Sequence, residues 1–315
     1  MRFSPVDKDA DHFVPPFDIS PHRRLYPFAG HWLKGPGFLY HYLDEGRGAP
    51  VVAVHGNPTW SFYYRDIVKA LSPDYRVLVP DHVGCGLSSR PSDAAFAYTV
   101  ASHVDNLEAF LDHLGLHENV TLIVHDWGGM IGMACAARRP ERISRIVILN
   151  TWAFLIPPEI KLPWQLSFIR HFPLLPAVLI RGLNAFSYLA TFLGVERKMA
   201  AEVRAGLTAP YNNWKNRIAT LRFVQDIPLS PADRSYGPVK WTDEHLHLLN
   251  GIPMMICWGM KDFVFNETAL AEWRRRFPAA EVHAFPRGGH YILEDEGEAI
   301  IPLIKDFLKR NPLPA

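Results

Sequence analysis

Apolar positions along the chain follow two rhythms. Four runs, Val51-Val52-Ala53-Val54, Val77-Leu78-Val79, Thr121-Leu122-Ile123-Val124 and Ile146-Val147-Ile148-Leu149, are continuous, largely β-branched and short. Such runs predict strands buried on both faces, the environment a parallel sheet supplies. Between them, residues 62–71, 101–114 and 130–138 space their apolar side chains as helices do. Strands alternating with helices predict βαβ units with right-handed crossovers.

After Asn150 the rhythm changes. From Thr151 to about Tyr236 there is no strand pattern, only apolar, proline-punctuated helical segments such as 174–190 and 200–207. Strand rhythm returns at Pro253-Met254-Met255-Ile256-Cys257-Trp258 and at Glu281-Val282-His283-Ala284-Phe285, and residues 299–309 predict a closing helix. The first thirty-odd residues, rich in proline and aromatics, read as an irregular arm. The organisation expected is one α/β core interrupted by a helical cap. Residues 1–150 form the first part of the core, with the arm at 1–33. Residues 151–236 form the cap, and residues 237–315 complete the core.

Composition narrows the function classes. A net charge of +1 over 315 residues, with no dense basic run, argues against nucleic acid as a partner. Cys85, Cys135 and Cys257 are odd in number and widely spaced, neither a disulfide framework nor a zinc pattern. A reducing cytoplasm fits them best. Residues 1–11 lack the apolar core of a signal peptide. No uninterrupted apolar run reaches the ~18 residues of a membrane span. No glycine-rich phosphate loop or other cofactor motif is present, so no cofactor is expected. His245 and His247 alternate near a helix start without a matching third ligand and read as surface residues, so no metal is expected either.

The chemistry concentrates at strand ends. His125-Asp126-Trp127-Gly128-Gly129 lies directly after the strand 121–124 and directly before a helix. A strand that turns abruptly into a helix leaves its apex residue exposed above the sheet edge, the nucleophile elbow usually written G-x-S-x-G. Here the apex is Asp126, and Val124 stands where the first glycine would be. Taken alone, Asp126 could equally be a helix N-cap. The context decides. His55-Gly56-Asn57-Pro58 follows the strand 51–54, where an oxyanion-binding loop belongs. Trp258-Gly259-Met260-Lys261-Asp262 follows another strand and ends in an acid. Arg287-Gly288-Gly289-His290 follows the last strand and presents a histidine. Nucleophile, acid and histidine in that order at successive strand ends point to an enzyme with Asp126 as nucleophile, His290 as its partner and Asp262 orienting the histidine.

Over nearly its whole length the sequence resembles the α/β-hydrolase superfamily, and within it the haloalkane dehalogenase-like branch. The resemblance rests on His55-Gly56-Asn57-Pro58-Thr59-Trp60, Asp81-His82-Val83-Gly84-Cys85-Gly86-Leu87-Ser88 and His125-Asp126-Trp127-Gly128. It implies a mostly parallel eight-stranded sheet flanked by helices, with a helical cap inserted after the sixth strand. It also implies that Asp126 is the nucleophile, His290 the base and Asp262 the acid, with Asn57 and Trp127 as side-chain donors to the leaving group. Backbone N–H groups after the elbow and in the Asn57 loop would form an oxyanion site. Some relatives place the acid after the sixth strand, near Asn150 here, and a neutral amide there favours Asp262.

One subgroup resembles the chain more closely, the β-lactone decarboxylases of bacterial long-chain olefin biosynthesis. The similar segments are 57–65, 127–133, 217–228 and 257–265, the third of them inside the cap. This resemblance implies conversion of a cis-3,4-dialkyl-oxetan-2-one to a cis-alkene and carbon dioxide, a hydrophobic small-molecule substrate, and assembly beside a β-lactone synthetase and other olefin-pathway enzymes. The alternatives are haloalkane dehalogenase and epoxide hydrolase, the latter requiring acidic cap donors such as Tyr188, Tyr211 or Tyr236. A binding protein that has lost catalysis is disfavoured because no triad member is missing. The apolar cap residues Leu162, Trp164, Leu166, Phe168, Ile169, Leu174, Leu175, Val178, Leu179 and Ile180 suit a greasy substrate. Most are expected to pack on the core and about a quarter to line the pocket, leaving an exposed remainder to meet a membrane or a partner enzyme.

Overall fold

The computed structural model describes residues 2–6, 14–157, 162–172 and 174–313. The strands are β1 (Ser4–Pro5), β2 (Gly30–Gly35), β3 (Phe38–Glu45), β4 (Pro50–Val54), β5 (Arg76–Pro80), β6 (Val120–Asp126), β7 (Ile143–Thr151), β8 (Met254–Gly259) and β9 (Glu281–Phe285). They form one sheet in the order β1-β2-β3-β5-β4-β6-β7-β8-β9. The pairings from β5 to β9 are parallel, and those joining β1, β2, β3 and β5 are antiparallel. The sheet therefore has nine described strands where the resemblance implies eight. The added one is β1, whose two residues pair with Lys34 and Leu33.

The core helices are α1 (Arg65–Leu71), α2 (Val100–His113) and α3 (Trp127–Arg138). Between β7 and β8 come α4 (Trp164–His171), α5 (Leu174–Gly182), α6 (Ala185–Leu193), α7 (Ala201–Thr208), α8 (Ile218–Gln225) and α9 (Tyr236–His245). Two further helices, α10 (Glu267–Arg276) and α11 (Ile292–Arg310), follow β8 and β9. The parallel strands are continuous apolar runs because helices cover both faces. Val52, Val54 and Leu122 face one apolar cluster, while Val51, Ala53 and Ile123 face the other.

The expectation for 174–190 needs correction. Its pattern predicts one helical segment, but α5 and α6 meet at a 73° bend. Asn184 sits there in the left-handed conformation (φ 57°, ψ 26°), which ends one helix and starts the next. The arm is also less irregular than its composition suggests. Phe17, Tyr26 and Phe28 bury their rings, and Phe17 and Tyr26 pack against Trp60. Residues from Gly30 onward are already strand.

Candidate active site

Asp126 ends β6 with φ 51° and ψ −126°, a conformation that L side chains rarely adopt. The bend is sustained by close packing. A Cβ on Gly128 would lie 1.9 Å from the Val54 carbonyl oxygen, so only glycine lets α3 leave the sheet here. The Thr151 hydroxyl, at the end of the neighbouring strand β7, donates to the Asp126 carbonyl and holds the apex from the side. Asp126 makes no capping hydrogen bond to α3 through its side chain, so the N-cap reading fails.

Its carboxylate points instead into a ring of donors. The Asn57 backbone N–H donates to Asp126 Oδ1 at 2.6 Å, and the Trp127 backbone N–H also favours the anion. Gly56 is obligatory for this approach, because a Cβ there would fall 2.0 Å from Asp126 Oδ1. His290 Nε2 stands 3.6 Å from Asp126 Oδ2, and His290 Nδ1–H donates to Asp262 Oδ2 at 2.8 Å. The second oxygen of Asp262 accepts from the Val264 and Phe265 backbone N–H groups at 2.7 and 3.0 Å, which fixes the plane of the carboxylate. Asp126, Asp262 and His290 are all buried.

Burial shapes the electrostatics of this trio. It pushes the Asp126 carboxyl up to about 6, against the opposing pull of His290 and the Asn57 and Trp127 N–H groups. Burial alone would lower the His290 value, but the Asp262 and Asp126 carboxylates outweigh it and leave His290 raised. At neutral pH the arrangement thus presents an ionised carboxylate, poorly solvated, beside a histidine disposed to carry a proton. A carboxylate of that kind is a nucleophile that needs no base to activate it.

The expected donors Asn57 and Trp127 both line the cavity in front of Asp126. One N–H of the Asn57 amide is held by the Thr220 carbonyl of α8 at 3.2 Å. The Trp127 ring packs against Phe223 of the same helix. The backbone N–H groups expected to form an oxyanion site contact the Asp126 carboxylate itself. Asn150 lies at the end of β7 and is structural. It accepts from Gly259 N–H at 2.7 Å and donates to Gly259 C=O at 3.0 Å, tying β7 to β8.

Several residues are not singled out by sequence reasoning. His125 Nε2–H donates to the His290 carbonyl at 2.8 Å and so positions the histidine loop from behind Asp126. Asp295 accepts from Gly289, Glu196 and Arg197 backbone N–H groups at 2.7 to 3.1 Å, and Tyr291 N–H donates to Gly194 C=O at 2.6 Å. The cap is thereby bonded to the loop that carries His290. No local pattern announces either contact, since the partners lie about a hundred residues or more away in sequence.

The cavity holds about 360 Å³ and is roofed by α4, α5 and α6. Among the described residues, and apart from tryptophan, the only lining side chains with nitrogen or oxygen are Asn57, Asp126, Gln165 and His290. Of the ten apolar cap residues named above, seven line it, not a quarter; Leu174, Leu175 and Val178 are exposed. None of Tyr188, Tyr211 and Tyr236 reaches it. The Tyr211 hydroxyl is buried and donates to the Thr59 carbonyl at 3.3 Å, so the acidic donors an epoxide hydrolase needs are missing from this lining. Among the described residues no cluster of potential metal ligands occurs, and His245 and His247 bond to the Trp241 and Glu244 carbonyls of α9.

Comparison with known proteins agrees with this geometry. The family model for the alpha/beta hydrolase fold matches residues 49–297. A cis-3-alkyl-4-alkyloxetan-2-one decarboxylase of Shewanella oneidensis is 52% identical over 90% of this chain and 89% of its own. One of Xanthomonas campestris is 48% identical over 88% and 95%. Haloalkane dehalogenase 2 of Mycobacterium bovis is 33% identical over 91% and 97%. The crystal structure of the haloalkane dehalogenase DatA from Agrobacterium tumefaciens, 24% identical, superimposes with a TM-score of 0.80 over 90% of this chain and 97% of that one, a likeness of fold. The chain belongs to the α/β-hydrolase family, on the branch shared by these decarboxylases and the haloalkane dehalogenases.

Proposed function

We propose that the protein is a cis-3-alkyl-4-alkyloxetan-2-one decarboxylase, which converts a β-lactone bearing two alkyl chains into a cis-alkene and carbon dioxide. The observation that carries the reading is a carboxylate, in place of serine, at the apex of the elbow on the floor of an almost wholly apolar cavity. The relatives that are about half identical supply the electrophile.

The chemistry follows from the groups present. Asp126 attacks the ring carbon that bears the lactone oxygen, forming an ester and freeing the ring carboxylate. That carboxylate then leaves as carbon dioxide. Its C–C bonding pair becomes the alkene π bond as the Asp126 carboxylate departs. Inversion in the first step and anti elimination in the second together turn a cis lactone into a cis alkene. No water, proton or redox partner is consumed, and Asp126 is regenerated. Attack at the carbonyl would leave an alkoxide and a mixed anhydride, with no direct route to loss of carbon dioxide. In this sequence the His290–Asp262 pair balances charge beside Asp126, and the Asn57 amide and Trp127 indole face the carboxylate released on ring opening. The apolar walls accept the alkyl chains and keep water from the ester.

A second reading, haloalkane dehalogenase, is favoured by the same carboxylate and by Asn57 and Trp127 as halide donors. There His290 would activate water to hydrolyse an alkyl ester. The two separate in one experiment. Purified enzyme is given a cis-dialkyl β-lactone in ¹⁸O-water, with halide release from 1-bromohexane followed in parallel. Alkene by gas chromatography with no ¹⁸O on the Asp126 peptide is the expected result. Brisk halide release with untouched lactone overturns the proposal, and alkene with ¹⁸O on Asp126 overturns the water-free sequence.

A further inference from the structure

Around the mouth of the cavity the cap exposes apolar side chains that a buried helix would hide. Leu174, Trp164 and Leu183 are 80%, 75% and 71% exposed. Leu189 and Leu193 of α6 are about half exposed and also line the cavity, as does Trp164, so the cavity opens through this apolar face. Helices α5 and α6 together are apolar and long enough to cross a bilayer by composition, but they bend by 73° between them. Ile180 of α5 and Ser187 and Thr191 of α6 are buried against the protein, so only the outer face of each helix is free. Such a pair suits the plane of an interface and not a span.

Charge on this face points to its occupant. Residues 160–195 contain no aspartate or glutamate, and His171 and Arg181 lie among the leucines; Arg170 turns inward, where Asp233 and the Ile227 carbonyl hold it. The Arg181 guanidinium stacks 4.6 Å over Trp214, itself about half exposed, and Tyr188 is equally open. Leucines flanked by tryptophan, tyrosine and Arg181, on a segment with no carboxylate of its own, match the boundary between hydrocarbon and anionic head groups. A lipid surface leaves the cavity mouth continuous with hydrocarbon, so an apolar ligand enters Asp126's cavity without crossing water.

We propose that the face formed by α4, α5 and α6 docks on an anionic lipid surface, with the cavity mouth turned toward the acyl chains. The test is flotation of the full chain with vesicles of phosphatidylethanolamine containing a minority of phosphatidylglycerol. The comparison is the double variant Leu174→Asp/Leu183→Asp, neither residue of which lines the cavity. Wild type should float with the vesicles. The variant should partition about a hundredfold more weakly, roughly tenfold for each leucine removed from hydrocarbon. Its turnover of a short-chain, water-soluble substrate should be unchanged. Wild type that stays with the aqueous fraction, or a variant that floats equally well, overturns the proposal. An oligomer that the variant dissolves, without vesicle binding, would assign the patch to a second copy of the chain and overturn it as well. Flotation does not depend on which electrophile Asp126 attacks, so this test and that of the proposed function fail separately.

Discussion

Asp126 ionises against its surroundings, and that has a consequence for stability that can be measured without any substrate. Its carboxyl ionises near 3.8 in an open chain but at about 6 in the folded protein, chiefly because it is buried. Below the lower value both states hold the proton and the difference vanishes. As pH rises, the unfolded chain ionises first, and the folded state lags until pH passes about 6. Above that, the ionised carboxylate destabilises the fold by its full amount. Each pH unit between the two values is worth ~1.36 kcal/mol, which makes the total about 3 kcal/mol. Asp126→Asn removes the charge, keeps an oxygen to accept from Asn57 N–H, and leaves the elbow a residue that tolerates positive φ. The variant should therefore be inactive and more stable. An unfolding entropy of about 2.1 cal/mol/K per residue over the 315 residues puts the gain at about 4 to 5 °C in Tm. Thermal melts of both proteins followed by circular dichroism from pH 4 to pH 8 check it. The gain should be complete above pH 7, roughly half as large at pH 5 and nearly absent at pH 4. A variant no more stable than wild type at pH 8 would refute the claim that the carboxylate is held in a dry site. A gain that does not change with pH would assign it to relief of backbone strain.

Other perturbations follow from the same contacts. In the proposed mechanism Asp126 attacks as the anion, so kcat/KM should fall as pH drops below about 6, read from a pH–rate profile; a plateau extending down to pH 4 would exclude it as nucleophile. Gly128→Ala drives a Cβ into the Val54 carbonyl, 1.9 Å away, and should displace the elbow enough to lower kcat about a hundredfold. Asp295→Ala leaves three backbone N–H groups without their acceptor and loosens the cap from the His290 loop. A loss of about 3 kcal/mol in denaturant unfolding is expected, with a fall in kcat that Asp295→Glu partly restores.

What can be read from the sequence, and what cannot, divides along physical lines. The parallel strands β4, β6, β7 and β8 are legible because helices bury both their faces, which forces runs such as Val51-Val52-Ala53-Val54. The site is legible because this topology places its chemistry where strands end, so that a single residue type at an apex, Asp126, carries information. The β2–β3 hairpin is not. Its inner positions include His41, a polar residue buried because its Nδ1 bonds Asp81 at 2.7 Å, and this breaks the alternation that would announce a strand. Helix α10 goes unassigned in the sequence because Arg274, Arg275 and Arg276 fill its last turn and few apolar positions mark it, although Leu270 and Trp273 anchor it to the core. The break between α5 and α6 has a signal in Gly182-Leu183-Asn184, a helix-stop pattern masked by the leucines around it. By their spacing alone those leucines suggest packing against the core. Leu179, Leu189 and Leu193 instead line the cavity, and Leu174, Leu175 and Leu183 face outward, so the cap's apolar pattern records the cavity's chemistry as much as the fold's.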